Sequence, residues 1–155
     1  MADRDANSSV EEREARALFR ARGLRCTQQR LRVLIALRST KRHPTAEELF
    51  HLARADNPGV SRATVYNTLE ALTAGGLARR LPARDGAGGA CRYDADTTDH
   101  VHIVHADGTV QDLPEDMGDA ILDCLPDGLL REVERRTGVR VARVSVELHQ
   151  VEEQQ

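Results

Sequence analysis

The sequence predicts an α+β chain, a winged helix-turn-helix followed by a small α+β unit. Three observations carry this. Helix-start signals recur up to Gly75-Gly76, and a short strand, a glycine-rich loop and a return strand follow them. A hairpin dense in histidine and aspartate then opens a second region. The formal net charge of −3 is also unevenly divided. Residues 1–93 hold 17 Lys and Arg against 10 Asp and Glu, and residues 94–155 hold 5 against 15, giving +7 and −10. A basic half joined to an acidic half implies that the first meets a polyanion and the second does something else, such as binding cations. The expected domains are 1–93, with 1–8 disordered, and 94–155.

At 155 residues the chain is long enough for a real core. With no Trp and few aromatics, that core must rest on Leu, Val, Ile and Ala. No apolar run reaches the length of a membrane span, and the Met1-Ala-Asp-Arg start does not read as a secretory signal. Cys26, Cys91 and Cys124 are odd in number and widely spaced, so they suggest neither a disulfide framework nor a zinc knuckle. A cytoplasmic location fits.

Ser9-Val-Glu-Glu12 has the form of a capping box and opens a helix to about Arg22, where Gly23 stops it. Arg13, Arg16, Arg20 and Arg22 make one side of it basic. Thr27 caps a second helix, with Leu31, Leu34, Ile35 and Leu37 at helical spacing. Thr45-Ala-Glu-Glu48 is another capping box, opening a third helix through Leu49, Leu52 and Ala53. After the turn at Asn57-Pro58-Gly59, Ser61 caps a fourth helix from Arg62 to about Ala74, buried through Val65, Leu69 and Leu72. Leu77–Arg80 reads as a strand, Asp85–Gly89 as a loop and Cys91–Tyr93 as the return strand. On this geometry the fourth helix exposes Arg62, Thr64, Tyr66 and Asn67, side chains that suit phosphates and base edges. Arg20, Arg79, Arg80 and Arg84 would add contacts to a nucleic-acid backbone.

The span Cys91–Asp112 gathers Asp94, Asp96, Asp99, His100, His102, His105 and Asp112. Imidazole with carboxylate and no thiolate suits iron, manganese, nickel or zinc. On a strand, His100 and His102 point to one face. If the return through Ala106-Asp107-Gly108 is a three-residue loop with Gly108 left-handed, His102 faces Asp112 across the ladder; a two-residue Asp-Gly loop would put Asp112 on the other face. Taken alone, the hairpin fits a polar, solvated one equally well. His51 and His149 read as surface residues, and His105 as a solvated loop residue. Beyond the hairpin, Pro114-Glu-Asp starts a helix with Ala120, Ile121, Cys124 and Leu125 on its apolar side, and Pro126-Asp127-Gly128 breaks it. A further helix carries Leu129, Leu130 and Val133. Val139–Leu148 alternates as a half-buried strand does, among what read as a few antiparallel strands, and a polar tail ends the chain. So small a unit would gain from pairing with a second copy.

Leu24-Arg-Cys-Thr-Gln-Gln-Arg-Leu31, His43-Pro-Thr-Ala-Glu-Glu-Leu49, Ser61-Arg-Ala-Thr-Val-Tyr-Asn-Thr-Leu69 and Asp99-His-Val-His102, in that order, resemble the ferric uptake regulator (Fur) family. The resemblance spans roughly Leu18 to Asp112 and continues loosely to Leu148. It implies a homodimeric repressor that binds double-stranded operator DNA when loaded with metal, through an N-terminal winged-helix DNA-binding domain and a C-terminal α+β dimerisation and metal-sensing domain. It further implies that Tyr66 contacts DNA and that His43, Asp94, His100, His102 and Asp112 hold one divalent metal per subunit. That metal would set the angle of each DNA-binding arm.

The chain departs from the family where a cysteine-bound structural zinc is usual. The hairpin reads His105-Ala-Asp-Gly and the tail Glu147–Glu152 has no cysteine, so no such zinc is expected. Asp at 94 and 112, with Asn67 after Tyr66, looks like the peroxide-sensing branch, with iron(II) or manganese(II) as the metal and zinc(II) or nickel(II) able to occupy the site in vitro. In that branch peroxide oxidises a ligand histidine, here His100 or His102. Plain iron or manganese uptake regulation, and a winged helix not controlled by metal, stand as alternatives. Two histidines and a carboxylate also occur in iron oxygenases and metallohydrolases, but there is no His-Glu-x-x-His, no nucleophile motif and no P-loop, so an enzyme is not expected.

Overall fold

The computed structural model describes residues 2–82 and 90–151, with side chains from residue 10 onward. The chain forms two compact units, Met1–Thr97 and Thr98–Gln155. The boundary expected between residues 93 and 94 falls inside a strand of the first unit. Arg84 and the loop Asp85–Gly89 lie outside the described residues, as does the tail beyond Val151.

The first unit contains α1 (Ala2–Ala21), α2 (Gln28–Arg38), α3 (Ala46–Asp56), α4 (Arg62–Ala74), β1 (Arg79–Leu81) and β2 (Arg92–Asp94). Residues 2–8 belong to α1, and Ser9 lies inside that helix rather than at its cap. The other caps form at the expected residues. The Thr27 side chain accepts from Arg30 N, and the Ser61 side chain accepts from Thr64 N. Thr45 and Glu48 close a capping box at both ends.

The buried face of α4, Val65, Leu69 and Leu72, meets Leu31, Leu34, Leu37, Leu49 and Phe19 in one core. Phe50, not Leu52, turns inward from α3, and Leu52 is 46% exposed. At the C-cap of α4 a Cβ on Gly75 would come within 2.6 Å of Leu24 Cδ1, so a glycine lets the helix end against that loop. β1 and β2 pair antiparallel, with Arg79 opposite Asp94 and Leu81 opposite Arg92. The first wing strand therefore starts at Arg79 rather than Leu77; Leu77 and Ala78 belong to the core.

The second unit contains β3 (Val101–Val104), β4 (Val110–Asp112), α5 (Glu115–Leu122), α6 (Leu129–Thr137) and β5 (Val146–His149). Its sheet has the order β4-β3-β5. The β3–β4 hairpin closes through a three-residue loop, Ala106-Asp107-Gly108, inside the His105–Thr109 pair, with Gly108 at φ +77°. Two expectations are corrected. β5 is parallel to β3, not antiparallel. The alternating run from Val139 also yields a strand only at Val146–His149, because β3 offers just four residues to pair with. Val101, Val104, Val110 and Leu113 are buried, while Leu125, Leu129, Leu130, Val133 and Val139 are exposed. Among the described residues, no helix is long and apolar enough to cross a membrane.

Candidate metal donors and nucleic-acid interface

In the first unit, His43 and Asp94 come together because the segment His43-Pro44-Thr45 runs beside β2. Tyr93 N donates to Pro44 O at 3.0 Å, and Thr45 forms an isolated bridge with Arg92. His43 Nδ1 lies 3.6 Å from Asp94 Oδ1, and both residues are nearly fully buried. Asp94 Oδ1 also accepts from Asp96 N at 2.7 Å, which fixes the carboxylate. His43 has φ +20°, a sparsely populated conformation for a non-glycine residue ahead of proline. Arg92, which is buried, holds it there. Arg92 Nη1 donates to His43 O and to Glu48 Oε2, each at 3.1 Å.

In the second unit the register pairs His102 directly with Asp112. His100, one residue before β3, brings its Nε2 to 2.8 Å from His102 Nε2 and 3.1 Å from Asp112 Oδ1. His102 Nε2 lies 3.8 Å from the same oxygen. The His100 Nδ1–H donates to Thr98 O at 3.0 Å, which leaves the Nε2 lone pair directed at the cluster. Two imidazole nitrogens each about 2.1 Å from one ion, at a right angle, would lie about 3 Å apart, so the spacing suits two ligands of one cation. Neutral imidazole, carboxylate and burial together fit a borderline divalent metal.

His51 and His149 lie on the surface as expected, beside Glu47 and Glu147. His105 is corrected from solvated to half-buried. Its Nδ1 is 3.2 Å from Gln150 Oε1, one residue past β5, which a reading of the hairpin by itself could not show.

On α4, Tyr66 is 52% exposed and Asn67 is exposed. Thr64 is half-buried, with its hydroxyl 2.9 Å from Ser61 Oγ. Arg62 is exposed but engaged. Its Nε is 3.0 Å from both Glu47 carboxylate oxygens, its Nη2 is 2.6 Å from Oε1, and its guanidinium carbon stands 4.6 Å from the Phe50 ring centre. The pair holds the Glu47 carboxyl below, and Arg62 above, their ordinary pKa ranges. Arg20 and Arg80 are exposed and Arg79 is half-buried. The Cys91 sulfur, hydrogen-bonded to Arg80, raises that guanidinium's pKa. Sequence reasoning missed Glu47 and Arg92. Nothing local marks either, since each acts on a residue far along the chain.

A winged helix-turn-helix followed by a small sheet with a histidine–carboxylate cluster defines a class, the winged-helix proteins that carry a candidate metal-binding unit. Comparison with known proteins is more specific. The pattern of the Ferric uptake regulator family matches residues 21–149. The chain belongs to the ferric uptake regulator family, a family of transcription regulators rather than enzymes. The peroxide-responsive repressor PerR of Staphylococcus aureus (strain Mu50) is 36% identical over 91 residues, covering 59% of this chain and 60% of the relative. The chain thus matches about 60% of the length of such curated relatives. Among solved structures, a ferric uptake regulator from Pseudomonas aeruginosa with manganese is similar at TM-score 0.63 and 25% identity, covering 90% of this chain and 98% of that one. A peroxide stress regulator from Campylobacter jejuni is similar at TM-score 0.58 and 26% identity, covering 78% and 83%.

Proposed function

We propose that the chain is a metal-dependent transcriptional repressor, acting in the cytoplasm as a homodimer on double-stranded operator DNA. The observation that carries this reading is the His100–His102–Asp112 cluster. Its nitrogens are spaced for one cation, and the strand register sets His102 against Asp112. His43 and Asp94 form a second buried donor group. On this reading the two groups close on one divalent ion per subunit, iron(II) or manganese(II), which when bound supplies the positive charge that joins them. The residues do the rest. Thr98 O orients His100, Asp96 N orients Asp94, and Arg92 holds the His43 backbone. Closure fixes the angle of the winged helix, so both α4 helices of a dimer fit one operator, coupling metal and DNA reciprocally by ~1–3 kcal/mol.

The DNA face would comprise Tyr66, Asn67, Thr64 and Arg62 on α4, with Arg20, Arg79 and Arg80 contacting phosphates. Exposed Leu125, Leu129, Leu130, Val133 and Val139 support the dimer reading, since such patches suit partner surfaces. Responsiveness to peroxide is the finer part of the proposal, supported by the PerR relatives and by aspartate at 94 and 112. To test it, the iron(II)-loaded and manganese(II)-loaded protein are each treated with peroxide. Gain of an oxygen atom on His100 or His102 by mass spectrometry, with loss of DNA binding in the iron form alone, is expected. An unmodified iron form that keeps its DNA affinity would reduce the function to iron or manganese uptake regulation.

A further inference from the structure

We propose that Glu47 is a specificity-determining residue of the DNA interface, because it turns Arg62 from a phosphate contact into a base reader. This rests on α4 being the DNA-facing helix. Arg62 is the first residue of α4, and the N-terminal residues of a recognition helix are those that reach base edges. A lone arginine there would meet phosphate as readily as base. Glu47, in the first turn of α3, removes that freedom.

Its carboxylate covers the Nε–Nη2 edge of the guanidinium at 2.6 to 3.0 Å. The Phe50 ring, itself only 3% exposed, stands beside the guanidinium at 4.6 Å. What remains is the end-on Nη1–Nη2 edge, with the side chain 59% exposed. Two parallel N–H donors on a fixed plane match guanine O6 and N7. The nearby carboxylate repels a phosphate, which is anionic, far more than a neutral base edge. An exposed ion pair contributes little to stability, so the arrangement matters as positioning. The exposed His51, 3.3 Å from Glu47 Oε1, is the other group on that carboxylate.

The test uses the manganese(II)-loaded full chain and duplexes with a randomised centre, sequenced after selection. Wild type, Arg62→Ala, Glu47→Gln and Tyr66→Ala are compared, and affinity for random-sequence duplex is then followed against salt. The expected result for wild type is a G·C preference at one position per half-site, about 5- to 150-fold over other pairs. Arg62→Ala should erase it at that position alone and leave the salt slope unchanged. Glu47→Gln should weaken the same preference and steepen the salt slope by about 0.9 per subunit, as the released arginine takes a phosphate. The proposal is overturned if Arg62→Ala keeps the base preference and flattens the slope, or if Glu47→Gln changes neither quantity. If Tyr66→Ala loses the selected sequence while those results hold, α4 remains the DNA helix and only the role of Glu47 fails. If wild type selects no sequence, the DNA-binding reading itself falls, and this proposal with it.

Discussion

His102 stands directly opposite Asp112 in the β3–β4 ladder, with its Nε2 2.8 Å from that of His100. The pairing follows from a strand period of two and a three-residue loop closed by Gly108. A metal-binding prediction follows from it. His102→Ala should lower manganese(II) affinity by at least 10- to 100-fold in titration calorimetry, the size expected even for losing an outer-shell partner. Thr98 orients His100 through its backbone carbonyl, so Thr98→Ala should leave that affinity within about twofold.

Arg92 links three pieces of the first unit, and its side chain is only 7% exposed. Arg92→Ala leaves the His43 carbonyl and Glu48 without this donor and should cost about 2 kcal/mol, read as a lower urea midpoint. Arg92→Lys, able to keep one of the two bonds, should fall between.

Loss of a cap should be smaller. Ser61→Ala removes the side chain that accepts from Thr64 N and should cost about 1 kcal/mol, a fall of several degrees in Tm.

Arg62 depresses the Glu47 pKa from an ordinary value of 4.5, so the folded state holds this carboxylate ionised to lower pH than the unfolded chain does. The stabilisation is present above pH 4.5 and is lost as pH falls through the depressed folded value. Wild type should therefore be slightly more stable than Glu47→Gln at pH 7, and the two should converge in strong acid. Because both side chains are well exposed, the difference at pH 7 should shrink in 1 M salt. Urea midpoints at both pH values check this.

On α6, Leu129, Leu130 and Val133 are each about 40% exposed. Leu130→Glu should shift the protein from dimer toward monomer in sedimentation, with the helical content unchanged. A variant as dimeric as wild type would move the proposed interface elsewhere.

Local chemistry in the sequence carried much of this fold. Thr27, Thr45 and Ser61 each cap the helix they were expected to cap, because a side-chain hydroxyl three residues before a backbone N–H is a short-range device. The hairpin was legible for the same reason, but its loop could be two or three residues long, and only the structure fixes the His102–Asp112 register. What was not legible is non-local. Arg92 reaches the His43 carbonyl across 49 positions, and Glu47 reaches Arg62 across 15. The alternation from Val139 gave no sign that its partner, β3, is short and runs parallel. Residues 2–8 carry no apolar stripe to betray the helix they continue.

The central claim is that His43 and Asp94 act with His100, His102 and Asp112 on one divalent ion that switches on DNA binding. Fluorescence anisotropy on a palindromic AT-rich duplex at fixed salt tests it most directly, with metal-free and manganese(II)-loaded protein and with His43→Ala and His102→Ala. The account predicts binding that needs manganese and is lost in both variants, one from each unit. Equal binding with and without metal, or a His43→Ala variant that responds to manganese as wild type does, would contradict it.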